Sequence, residues 1–178
     1  GSLGVDPIGF AALNGGAPDL SVIAKAVELA KPFPGLRPVV VDASRYDSMG
    51  AGDVAQLAYA LATGVEYLRA LTDLGLSPDE AFGKILFRVS ANTDQFVTIA
   101  RLLRTLWSRV GEVVGVSPDR RGAMQHAVTS LREISRDDAY VNVLRGTISA
   151  FAASVGQAEI ITVLPLDTVI GMPNDLTR

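Results

Sequence analysis

The side chains best suited to chemistry collect after one short apolar run. In VVVDASRYDSMGAGD, residues 39–53, a valine stretch ends in Asp42, Ser44, Arg45, Tyr46 and Asp47. Asn92, Thr93, Asp94 and Gln95 follow a second run, Thr129, Ser130, Arg132 and Glu133 a third, and Asp167 and Thr168 a fourth. Carboxylates, hydroxyls and guanidinium groups of this kind bind anions, orient carbonyls and pass protons. A base that titrates near neutrality is the missing part, because the single histidine, His126, lies inside an apolar run. His126 alternates with Met124 and Val128, which reads as a strand side chain lining a core or barrel before it reads as a ligand. Thr129 and Ser130 suit a turn or helix cap as well as a substrate contact. Asp42 has obvious partners in Arg45 and Arg88. Gly50-Ala51-Gly52 lacks the spacing of a phosphate-cradling loop, and no carboxylate–histidine spacing suggests a metal.

The elements that must position these groups alternate. A helix is expected from Pro18-Asp19 to Lys31, with Leu20, Ile23, Ala24, Val27 and Ala30 on one face. A strand over 39–43 is β-branched throughout, as in a parallel sheet buried on both faces. Asp53 reads as the cap of a helix running to Gly75, and Ser77-Pro78 as the start of a short one. Further strands are expected over 85–91, 124–129 and 160–164, with helices over 94–114 and 136–155 between them. Trp107, with Leu103, Leu106 and Val110, reads as helix packing. Strand starts near 39, 85, 124 and 160 repeat at the length of one βα unit, which permits right-handed crossovers. Four such units fit an open doubly wound sheet with helices on both faces, or half of a (β/α)8 barrel with helices outside only. Periodicity does not choose between them.

Composition narrows the classes. The 178 residues are 48% hydrophobic and 20% charged, with a net charge of −3, an ordinary globular balance that argues against nucleic acid or acidic lipid. Arg101, Arg104, Arg109, Arg120 and Arg121 read as a solvated face. Absence of cysteine removes disulfides, thiolate metal sites and cysteine nucleophiles, and fits a cytoplasmic setting. No apolar run approaches the ~20 residues of a membrane span. Gly1-Ser2 reads as a tag remnant and the end at Arg178 as unfinished, so residues 3–178 are expected to be one partial domain.

Four segments together resemble the methylmalonyl-CoA mutase family: GAGDVAQLAYALATGVEYLRALTDLGL, RVSANTDQFVTIARLLRTLW, HAVTSLREISRDDAYVNVLRGT and VLPLDTVIGMPNDLTR. Asp138, Tyr140, Asn142, Arg145 and Thr147 fall at the family spacing D-x-Y-x-N-x-x-R-x-T. The resemblance implies an α/β chain of parallel βα units forming about half of a (β/α)8 barrel. It also marks departures. Where catalytic members have G-Y-H after the first of these strands, this chain has Ala43-Ser44-Arg45, so Arg45 takes the place of a histidine that lies over the corrin and the substrate. The family's R-T-H-S becomes Met124 to Ala127, retaining only His126, and Thr162 and Leu164 replace polar substrate-side residues.

Changed strand ends of this kind resemble the family's small, non-catalytic subunit. That resemblance implies no catalytic residue here, no cofactor bound by this chain, and adenosylcobalamin in a large partner subunit that interconverts (R)-methylmalonyl-CoA and succinyl-CoA. His126, Thr129 and Ser130 remain the candidates for residual substrate contact. The rival readings are a divergent acyl-CoA mutase that uses Arg45, and an unrelated four-strand α/β binding module. A half-barrel with open edges is further expected to self-associate.

Overall fold

A strand that the sequence did not suggest opens the chain, and it takes in Ser2, half of the Gly1-Ser2 pair expected to be a tag remnant. In the structure, a computed structural model that describes residues 1–92 and 96–171 (with side chains at 96 and 98 excepted), β1 is Ser2–Val5. It pairs in parallel with β2, Arg37–Asp42, through Ser2 opposite Arg37 and Val5 opposite Val39. Ser-Leu-Gly-Val is short and half-exposed, without a β-branched run, so only pairing with β2 makes it a strand. Asp6 then caps helix α1, Pro7–Asn14, by accepting from the Gly9 amide at 3.0 Å.

The remaining elements follow the periodicity, with shifted ends. Helix α2 is Val22–Ala30; its expected first turn is an Asp19 side chain accepting from the Ser21 amide at 3.0 Å. After β2 the chain turns at once into α3, Ser44–Ser48, a five-residue helix where a loop was expected. Helix α4 is Asp53–Asp73, and Gly52, not Asp53, is its cap residue; Asp53 instead accepts from Asn92 Nδ2 at 2.8 Å. A reciprocal Ser77–Glu80 capping box starts α5, Pro78–Phe82. Then come β3, Ile85–Ala91, α6, Phe96–Val113, β4, Gln125–Thr129, α7, Ala139–Val155, and β5, Ile160–Thr162. Arg104 of α6 donates to the Gly156 carbonyl at 2.6 Å, placing a cation at the C-terminal end of α7.

All four pairings are parallel, in the order β1-β2-β3-β4-β5. The sheet curls into about half of a (β/α)8 barrel. Alternate strand residues Val39, Val41, Phe87, Val89 and Ala127 join Ile23, Leu57, Tyr67, Leu71 and Trp107 in one apolar core under the helices. Trp107 is 1% exposed, stacks on Phe82 at 4.5 Å and meets the edge of Phe87 at 4.9 Å. Gly64 of α4 permits this: a Cβ there would lie 3.0 Å from both the Phe87 and Trp107 rings.

Candidate functional site at the barrel mouth

The opposite strand faces carry a polar row. Asp42 of β2 sits beside Arg88 of β3, and Arg88 beside His126 of β4, because those residues are register partners. Arg88 Nη1 donates to Asp42 Oδ2 at 3.2 Å, and its Nε donates to His126 Nδ1 at 3.3 Å. An imidazole nitrogen that accepts carries no proton, so His126 is the tautomer protonated on Nε2. That N–H donates to Thr162 Oγ1 of β5 at 2.8 Å. Burial first, and then the Arg88 charge, hold His126 below its ordinary pKa, against an opposing pull from Asp42.

The row continues towards β1. Ser44 Oγ donates to Asp42 Oδ1 at 2.5 Å, and Arg45 Nε donates to Asp42 Oδ2 at 3.1 Å. Arg45 also lies 4.0 Å from Asp6, whose Oδ2 accepts from the Asp42 amide at 3.3 Å. The Tyr67 hydroxyl donates to Asp6 Oδ1 at 2.5 Å and accepts from the Ile8 amide at 2.8 Å. Burial, then that hydrogen bond and the Asp6 charge, raise Tyr67 well above the usual phenol range. Asp6, Asp42, Arg45 and Arg88 thus form a charge-balanced set in which each group holds another. Both expected partners of Asp42 are found at once.

The other candidates are engaged in tying loops. Thr129 and Ser130 are each 4% exposed. Thr129 Oγ1 accepts from the Leu164 amide at 2.9 Å, while Ser130 Oγ donates to Asp47 Oδ2 at 2.7 Å and accepts from the Arg132 amide at 3.2 Å. Glu133 accepts from Ser149 at 3.2 Å, and Thr168 donates to the Pro165 carbonyl at 2.7 Å. Tyr46 stands 3.4 Å from Thr63 Oγ1. Thr93, Asp94 and Gln95 lie outside the described residues. Among the described residues no group of three or more histidines and carboxylates could hold a metal ion. An open cleft of about 430 Å³ lies beside Arg45, walled by Val5, Phe10, Ala11 and Val22.

Of the family-spaced residues, Asp138 and Asn142 hold the start of α7 in place. Asp138 caps the helix through the Tyr140 and Val141 amides at 3.0 and 3.4 Å. Asn142, buried, donates to the carbonyls of Ser135 and Leu166 at 2.8 and 2.9 Å and accepts from the Ser135 amide and Arg145. It therefore joins the loop after β4 to the segment after β5. Asp6 and Tyr67, central to the mouth, were not singled out in sequence. Asp6-Pro7 is a helix-start signature that marks Asp6, whereas nothing local links Tyr67 to a residue 61 positions away.

Parallel strands curled into a half-barrel, with polar groups at their C-terminal ends, define a segment of a (β/α)8-type barrel. Residues 16–178 match the family described as methylmalonyl-CoA mutase, and the chain belongs to that family. It is 56% identical, over 98% of its length, to the methylmalonyl-CoA mutase small subunit of Propionibacterium freudenreichii subsp. shermanii, of which it covers 28%. It is 45% identical, over its whole length, to the small subunit from Streptomyces virginiae, covering 29% of that protein. Against the methylmalonyl-CoA mutase of Escherichia coli it is 29% identical over 90% of its length, covering 23% of that chain. The chain therefore spans less than a third of the length of these relatives.

Proposed function

We propose that this chain is a barrel segment of the small, non-catalytic subunit of an adenosylcobalamin-dependent methylmalonyl-CoA mutase. In this reading it works in the cytoplasm as the supporting partner of a large subunit that interconverts (R)-methylmalonyl-CoA and succinyl-CoA. The described residues form the partial barrel, whose first strand begins at Ser2. Kinship with named small subunits supports the reading.

The single observation that carries it is the closed polar row from Asp6 to Thr162. Arg45, in the place of the family's histidine, is bound to Asp42 and cannot titrate as imidazole does. Both ring nitrogens of His126 are engaged, by Arg88 and Thr162. Thr129 and Ser130 are buried and turned to loop contacts, so none of the three is given a substrate-binding role. This donor set of mutually paired charges does not fit a corrin or the reacting acyl group. No helix among the described residues is long and apolar enough to cross a membrane, in keeping with a subunit that acts away from the bilayer.

The test is turnover by the purified full-length small subunit with adenosylcobalamin and methylmalonyl-CoA. No turnover is expected without the large subunit, and full activity once it is added. Turnover by the small subunit alone, or displacement of acyl-CoA from its mouth by Arg45→Ala, overturns the reading.

A further inference from the structure

Where the turn after β4 meets α7, the protein holds a small polar cavity. Its volume is about 10 Å³, and Thr129, Ser130, Glu133, Asn142, Arg145 and Ser149 line it. Thr129, Ser130, Asn142 and Ser149 are already buried within this chain, Ser149 to 1% exposure. The wall is therefore in place whatever further chain lies outside it. A volume of this size is close to what one water molecule needs, and far below what a side chain or an organic acid requires.

The hydrogen-bonding capacity of the wall narrows the occupant further. Asn142 is fully used: its amide group donates to the carbonyls of Ser135 and Leu166, and its oxygen accepts from the Ser135 amide and Arg145. Ser130 is committed to Asp47 and the Arg132 amide. The other lining groups have capacity left. Thr129 Oγ1 accepts from the Leu164 amide, which leaves its own hydrogen to donate. Arg145 carries five N–H groups and, among the described residues, gives one of them to Asn142 at 3.2 Å. Ser149 Oγ donates to Glu133 Oε2 at 3.2 Å and keeps its lone pairs. Each carboxylate oxygen of Glu133 can accept more than one hydrogen bond.

Two donors, Thr129 and Arg145, thus line the cavity with two acceptors, Ser149 and Glu133. Water gives two hydrogen bonds and takes two. A metal cation binds through acceptors alone and would meet the Arg145 charge, whereas a halide binds through donors alone and would meet the Glu133 charge. One charge of each sign on the wall favours a neutral occupant.

We infer that one internal water molecule occupies this cavity, accepting from Thr129 and Arg145 and donating to Ser149 and Glu133. It ties the end of β4 and the turn after it to the middle of α7, next to the direct Asn142 contacts. Through Ser130, which holds Asp47, the same turn is joined to α3, so the water helps to fix the loops at the barrel mouth. Buried waters in such polar sites are part of the structure and costly to remove. The site is built from this chain's own residues and stands whether or not the small-subunit reading does.

The test is a high-resolution crystal structure of the full-length protein, paired with oxygen-17 relaxation dispersion in solution, which counts long-lived internal waters. One peak is expected at ~2.7–3.2 Å from Thr129 Oγ1, an Arg145 Nη and Ser149 Oγ. Ser149→Thr, which sets a methyl group in the cavity, should abolish the peak and lower the dispersion amplitude by one water. A dry cavity in the unsubstituted protein overturns the inference. An ion identified there by anomalous scattering, or a side chain from elsewhere in the full-length protein filling the space, does the same. Unchanged dispersion amplitude in folded Ser149→Thr also overturns it. If Ser149→Thr does not fold, the crystal structure of the unsubstituted protein decides alone.

Discussion

Helices α6 and α7 cross the same sheet one after the other and use their apolar surface in opposite ways. Helix α6 turns Ala100, Leu103 and Trp107 to the sheet and alternates Arg101, Thr105, Arg109 and Glu112 with Leu102, Leu106 and Val113 outside. Helix α7 buries an asparagine, a serine and two alanines, keeping its aromatic and most of its branched side chains outside. The first helix is stabilised by the fold in hand. The second is held by hydrogen bonds at its start and by small side chains buried along its length, and its larger apolar side chains are exposed. Helix α7 is the more apolar of the two, yet it is α6, the more amphipathic, that turns its large apolar side chains to the sheet.

The sharpest way to break this contrast is to truncate the aromatic of each helix in turn. Trp107→Ala should cost about 3–5 kcal/mol in urea unfolding of this chain, through the cavity left between Phe82 and Phe87. A loss under ~1 kcal/mol would show that α6 is not anchored as described. Asn142→Leu tests what holds α7. Removing its contacts to Ser135, Leu166 and Arg145 should destabilise by about 2 kcal/mol, read as a melting-point drop of roughly 4–8 °C.

A smaller effect comes from β4, the strand between the two helices. His126 faces Arg88 from β3, Thr162 from β5 and, further off, Asp42 from β2. Its folded pKa lies below its ordinary 6.5, so as pH falls the unfolded chain takes up this proton first. Its contribution to stability is therefore present above pH ~6.5 and lost as pH drops below it. His126→Gln should flatten that part of the stability–pH curve, and an unchanged slope would remove His126 as its source. The smallest change is expected on the exposed face of α7. Phe151→Ala should alter the stability of the chain alone by no more than about 0.5 kcal/mol, despite deleting an aromatic ring. A loss near that of Trp107→Ala would mean that Phe151 is packed in the isolated chain and would erase the comparison.

Much of the fold was legible because it is periodic. β-Branched Val39, Val40 and Val41, the Ser77–Glu80 box and the apolar spacing of α4 and α6 each announce their element locally. The pairing of Asp42 with Arg45 and Arg88 was legible too, since a carboxylate at a strand end has few other choices. Strand β1 was not, because Ser2 to Val5 has no pattern of its own and exists through β2. The Asp6–Tyr67 bond was hidden for a related reason: it joins an edge strand to a helix interior across a long stretch of chain. Helix α7 was legible as a helix, yet its orientation was not. Both of its faces are apolar, and periodicity does not say whether Ala153 or Phe151 points inward.

The strand order has a consequence for how the molecule comes into being. Each strand pairs only with its neighbours in sequence, so the sheet grows in the direction of synthesis and no strand must be inserted between two already joined. A chain leaving the ribosome can add one strand and one helix at a time, each closing a loop of one βα unit. Assembly then resembles the lengthening of a repeat array more than the collapse of a sheet with distant pairings. Ribosome-held chains cut after α4, β3, α6 and β4 should show protease resistance arriving in steps, with Trp107 buried against Phe82 and Phe87 once α6 has emerged.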